Sequence, residues 1–429
     1  MRALRLIALL AWIAGSSLSG HSYSVLTHEQ VVDLAWEDQI QPMLVERFRN
    51  STPAELRRAH AFAYGGSVVE DMGYYPFGRK YFSDLVHYVR TGDFVCALVD
   101  DSRDLDEYAF ALGALAHYSS DNMGHPTINQ VVAIEFPKLR RKFGNEVTYA
   151  DDHKTHIRTE FGFDMVQVAK NRYTSDRYHD FIGFEISKPL LERAFLKTYD
   201  LELAEVLGGS EDLAIGTFRR AVSRVVPAMT RVALLNRRAD RVPERQDHAE
   251  RRFLYRLSRT SYEKEWGNGY RRPGVGSRVL ALILRIFPKV GPASALDFKI
   301  PSAQTEDLYI KSVNRTMDNY RLRLHQVREG RLRLANTDCD TGRDTHAAEY
   351  PLADDTYSRL LLDLARRRFA NLTPGLRGNI LSYYSNPNAP FHGKRNRKHW
   401  EETEQALEGL KNAPANSVAR ELGGEPARP

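Results

Sequence analysis

Phe110-Ala-Leu-Gly-Ala-Leu-Ala-His117-Tyr-Ser-Ser-Asp121-Asn-Met-Gly-His125-Pro126 is the stretch from which the chain can be read outward. On a helix, His117 and Asp121 lie one turn apart and share a face. An imidazole and a carboxylate placed that way are suited to a divalent cation. His125 follows four positions later, between Gly124 and Pro126. Proline disfavours helical geometry in the residue before it. The helix is therefore expected over 107–123, with His125 at or just past its end and able to reach a different metal.

One such pair proves little, because a chain this rich in histidine yields roughly one by accident. The surroundings carry the argument. His156-Ile-Arg-Thr-Glu160 repeats the one-turn spacing with a glutamate. His87 closes Tyr81-Phe-Ser-Asp-Leu-Val-His87, and Asp71 stands in Val68-Val-Glu-Asp71-Met-Gly-Tyr-Tyr-Pro-Phe77. Thr27 and Gln30 make a capping-box pattern that would put His28 at the first helical position. Half of the 14 histidines fall between positions 28 and 156.

With 429 residues the chain can bury a large core in one or two domains. A mean hydropathy of −0.48 is that of a water-soluble chain. A net charge of +6, spread along the sequence, favours phosphate-bearing substrates or anionic lipid without requiring nucleic acid. Arg2 and Arg5, the apolar run 6–14 and the small residues to Gly20 read as an export signal over 1–20. A secreted or periplasmic location is expected, with disulfide chemistry open to Cys96 and Cys339.

Apolar periodicity predicts a mainly α protein, with helices over 28–49, 53–64, 156–168, 181–198, 211–236, 305–333 and 352–370. A helical domain is expected over 21–236, a C-terminal helical extension over 237–411 and a disordered tail over 412–429. Arg-rich 237–252 and turn-rich 267–276 read as exposed linker and loop, and apolar 278–287 as a buried element. Asp338-Cys-Asp340-Thr-Gly342-Arg-Asp344 alternates carboxylates around a glycine but lacks the later glutamate of a calcium loop, so it reads as a polar turn. His60, His179, His248 and His325 read as hydrogen-bonded core histidines, His153 as a non-ligand, and Asp151 and Asp152 as helix caps.

In order, His28, Asp71, His87, His117, Asp121, His125, His156 and Glu160 resemble the bacterial zinc-dependent phospholipase C family over about residues 23–165. The resemblance implies an all-helical phospholipase C or zinc-nuclease-like bundle holding two or three zinc ions. It implies that His87 and His117 hold one zinc and that Asp121 bridges to a second, shared with His28. It further implies that His125, His156 and Glu160 hold a third, and that Asp71 serves as general base or weak ligand. The activity it implies is phospholipid phosphodiester hydrolysis by a zinc-bridging hydroxide, with transient contact at a membrane surface and no nucleic-acid partner. The related three-zinc single-strand nucleases and an inactive metal-binding protein are the alternatives. Three departures stand out. No tryptophan lies between the export signal and His28, His125 follows Asp121 by four positions where about six are usual, and Asp84 stands where a choline-contacting aromatic is expected. Tyr74, Tyr75 and Phe77 are left as candidates for a cation–π wall or for packing.

Overall fold

The helix that carries His117 runs straight through Pro126, from Leu105 to Glu135. The expected break does not occur. A mid-helix proline costs about 3 kcal/mol in an exposed helix. Here nearly every residue from Glu107 to Val132 is buried, and that packing outweighs the loss of one backbone hydrogen bond. His117, Asp121, His125 and Asn129 thus repeat every fourth position on one continuous helix, each about 40° round from the last.

A computed structural model describes residues 25–169, 183–225, 298–391 and 396–413. The expected signal segment, the linker and loop readings between 237 and 276, the apolar run 278–287, His179, His248 and the tail from 414 lie outside them. The described helices are α1 (Val25–Ala35), α2 (Gln41–Arg47), α3 (Pro53–Val68), α4 (Lys80–Tyr88), α5 (Thr91–Asp100) and the central α6 (Leu105–Glu135). They continue as α7 (Pro137–Phe143), α8 (Tyr149–Ala169), α9 (Lys188–Tyr199), α10 (Leu203–Val206), α11 (Glu211–Arg220) and α12 (Ala303–Arg328). Then come α13 (Pro351–Arg366), α14 (Pro374–Tyr383) and α15 (Arg397–Asn412). The strands among the described residues are β1 (Thr337–Asp338) and β2 (Arg343–Asp344), paired antiparallel as Thr337 with Asp344 and Asp338 with Arg343. The protein is mainly α, as the periodicity indicates. Helices α4 and α5 were not anticipated; their apolar residues are interrupted by Ser83, Asp84, His87 and Asp93.

Helix starts follow local chemistry where the side chains are exposed. At α3, Thr52 and Glu55 form a reciprocal capping box and Pro53 takes the first helical position. The box expected at Thr27 and Gln30 does not form. The Thr27 hydroxyl is instead bonded to Asp164 Oδ1 at 2.6 Å and lies 2.7 Å from the Tyr309 hydroxyl, and α1 already includes Val25.

Helices α3 and α6 cross at glycine. A Cβ on Gly113 would lie 2.0 Å from the Ala63 carbonyl oxygen, and one on Gly66 1.9 Å from that of Phe110. Close backbone approach is the reason for glycine at both. The crossing brings the carbonyl of Ser67 next to His117. On another side of α6 lies α12, whose Tyr320 hydroxyl donates to the Leu112 carbonyl at 2.9 Å. One apolar core includes residues from Val25 to Leu410. Cys96 and Cys339 are both free thiols.

Candidate metal centre

Three helices and one short 3-10 segment deliver predicted donors to those on α6. His28 comes from α1, Asp71 from the segment Val69–Tyr74, His87 from the last turn of α4, and His156 and Glu160 from α8. All eight residues named from the sequence are almost fully buried. Among the described residues two groups of three donor atoms gather within 4.8 Å of one another: His28, His117 and Asp121, and Asp71, His87 and His117. Asp121 joins them. Its carboxylate lies 3.5 Å from His28 Nε2, 3.5 Å from His87 Nε2 and 3.2 Å from His117 Nε2. Asp71 Oδ1 is 3.4 Å from His87 Nε2.

The tautomers are set by the outward ring nitrogens. A backbone carbonyl only accepts, so a ring nitrogen bonded to one must carry the proton. His87 Nδ1–H donates to the Ser83 carbonyl at 2.8 Å, and His117 Nδ1–H to that of Ser67 at 2.9 Å. Their inward Nε2 atoms face each other at 3.4 Å among carboxylates. Anchoring the outer N–H and turning the other nitrogen inward is how histidine is held for a metal.

His125, His156 and Glu160 form a second cluster. The His125 and His156 rings stand edge to face at 5.5 Å. His125 Nδ1–H donates to the Cys339 carbonyl at 2.6 Å, and His156 Nε2–H to Asn129 Oδ1 at 2.7 Å. The remaining nitrogens, His125 Nε2 and His156 Nδ1, are buried without a hydrogen-bond partner, as are both Glu160 oxygens. His156 Nδ1 and Glu160 Oε1 are 2.6 Å apart yet not aligned for a hydrogen bond. Orphaned donors of this kind are costly unless a cation satisfies them. Burial holds the Glu160 carboxyl well above its usual range and pushes His156 down to about 3, with His125 adding to the second effect. The donor set of imidazoles and carboxylates, without thiolate, fits zinc.

Charge is concentrated at the first cluster. Burial opposes ionisation of His117, but Asp121 and then Glu70 outweigh it and raise its pKa to about 10. Asp121 is held well below the usual carboxylate range; burial works against this, and His117 and His125 prevail. Glu70 was not singled out from the sequence. Buried in the same 3-10 turn as Asp71, with Oε2 4.0 Å from His117 Nε2, it is pushed up to about 7 by burial. Its position beside Asp71 was the available signal. Asn129 and Asp340 were also missed as site residues. Asn129 stands one turn past His125, and Asp340 lies in the carboxylate-rich segment read as a polar turn. That segment is a turn, but it is buried against His125, with Asp338 and Asp340 each 3% exposed.

Other expectations resolve residue by residue. His60 is a bonded core histidine, its Nε2 2.9 Å from Asp33 Oδ1, stacked on Trp36. His325 is not a core residue; it is exposed, near Glu329. His153 points to solvent, and Asp152 caps the kinked start of α8 through the Thr155 N–H. Tyr75 packs on Phe218, Tyr74 stands edge-on to His87 at 6.1 Å, and Phe77 is exposed. Asp84 pairs with Lys80.

Residues 27–209 match the family model for zinc-dependent phospholipase C. No curated protein and no solved structure matches the chain. The matched residues contain every donor just described. The turn 337–344, which bonds His125 and Asn129, lies outside them.

Proposed function

We propose that the protein is an exported zinc phosphodiesterase that cleaves phospholipid headgroups in the manner of a phospholipase C. The observation that carries the reading is the set of anchored tautomers. His87, His117, His125 and His156 each commit one ring nitrogen to a protein oxygen; the other faces a buried carboxylate in His87, His117 and His156 and is buried without a hydrogen-bond partner in His125. The match of residues 27–209 to the family model for zinc-dependent phospholipase C supports the substrate class.

His28, His87, His117, Asp71 and Asp121 would hold zinc at the first cluster, and His125, His156 and Glu160 at the second. Zinc bound there supplies a nucleophile from water near neutral pH and offsets charge on the phosphoryl oxygens. The protein's own part is to hold donors rigidly and keep them dry. Asp121 reaches three imidazoles at once and fixes their spacing. Asp71, 3.4 Å from His87, would serve as general base towards water or as a weak ligand. Tyr74 gives one wall beside His87. The net charge of +6 suits an anionic substrate surface.

Elemental analysis of the purified mature protein, with hydrolysis of a chromogenic choline phosphodiester measured against cleavage of single-stranded DNA, tests the reading. We expect at least two zinc ions per chain and ester hydrolysis that chelation abolishes and zinc restores. Fewer than two zincs defeats the two-cluster reading, and cleavage of DNA alone replaces the substrate with nucleic acid. N-terminal sequencing of the exported form tests the signal at 1–20.

A further inference from the structure

We infer that Asp340 is a positioning residue that fixes His125 for metal binding, and that the turn 337–344 is thereby part of the site. The inference rests on the zinc reading above. Asp340 Oδ1 lies 3.2 Å from His125 Nδ1, the nitrogen whose proton goes to the neighbouring Cys339 carbonyl at 2.6 Å. A carboxylate beside the outer N–H of a histidine fixes the ring and makes the opposite nitrogen more basic. That opposite nitrogen, Nε2, is the buried atom with no partner.

The carboxylate is itself held in place. Asp340 Oδ2 accepts from the Tyr88 hydroxyl at 2.8 Å and from the Tyr350 hydroxyl. Its backbone N–H donates to Asp338 Oδ1 at 2.9 Å. Both carboxylate oxygens are therefore committed to protein contacts, which makes Asp340 a support for a ligand rather than a ligand.

The same turn reaches the second imidazole. The Asp340 carbonyl accepts from Asn129 Nδ2 at 2.8 Å, which orients the amide so that its Oδ1 receives the proton of His156 Nε2 at 2.7 Å. It also touches the first cluster, since Cys339 N–H donates to the His87 carbonyl at 3.1 Å. Gly342 lets the turn lie this close. Its φ is +68°, and a Cβ there would come 2.5 Å from the Asn122 carbonyl oxygen on α6. A segment more than a hundred residues beyond the family match thus clamps both imidazoles of the second cluster.

The test is zinc affinity of the full chain, measured by competition with a chromogenic chelator, with zinc per chain counted after dialysis. Asp340→Ala should weaken one zinc by about 10- to 100-fold while the far-ultraviolet dichroism stays unchanged. Asp340→Asn, which keeps an acceptor but not the charge, should fall between it and the parent. Tyr350→Phe, which frees one contact to Oδ2, should weaken the same zinc by a few-fold, and it carries the test if Asp340→Ala does not fold. Zinc bound by all three variants as tightly as by the parent overturns the inference. A parent chain that binds no zinc overturns instead the reading on which the inference stands.

Discussion

Asp121 is the residue on which the first cluster depends. Its two oxygens serve three imidazoles from three helices. Asp121→Asn keeps the shape but removes the charge that offsets His117 and a bound dication. We expect hydrolysis to fall by at least about 100-fold, with weakened zinc retention and unchanged helicity. Steady-state rates with metal analysis check this; a variant with parental turnover would contradict the bridging position. The pattern at His117 and Asp121 was legible because it rests only on helical spacing. Glu70 and Asn129 were harder to read. Their importance lies in distances to His117 and His156, which join separate helices.

At the scale of elements, the crossing of α3 and α6 sets the site, because it brings the Ser67 carbonyl to His117. Gly113→Ala places a methyl 2.0 Å from the Ala63 carbonyl oxygen, and two backbones cannot yield as a flexible side chain can. The expected cost is about 3 kcal/mol of stability, read from urea unfolding. A neutral substitution would show that the helices part without penalty. The central helix also shows why a local rule failed. Pro126 argued for a break, and an isolated peptide would obey it. Burial on almost every side keeps α6 helical to Glu135, so His125 stands on the same ridge as Asp121. The same override moved Thr27 away from capping and onto Asp164.

For the whole molecule, the end of α6 is tied to the start of α12. Glu135 accepts from Ser302 N–H at 2.9 Å and from the Thr305 hydroxyl at 2.7 Å, and pairs with Lys299 at 2.7 Å. Burial works to raise its pKa, but Lys299 and the Ser302 and Thr305 bonds outweigh that and lower it to about 2. A carboxylate depressed on folding contributes its full stability above the unfolded value of 4.5 and loses it as pH falls towards about 2. Lys299 is half exposed, which reduces the contribution to about 1–2 kcal/mol. Glu135→Gln should therefore be less stable than the parent at neutral pH by that amount, and the two should converge near pH 2. Denaturation at both pH values measures it; a gap that persists in acid would assign the effect to packing instead.

Residue spacing by itself determined the helical class and the pairs His117–Asp121 and His156–Glu160, because one helical turn fixes which side chains share a face; the wider set of eight candidate donors came from the resemblance of their order to the zinc-dependent phospholipase C family. Tertiary structure alone decided that α6 survives Pro126, that Glu70 joins the first cluster, and that the turn 337–344 lies against His125. Those outcomes turn on burial and on contacts between residues far apart in the chain, and no local rule of helix spacing contains them.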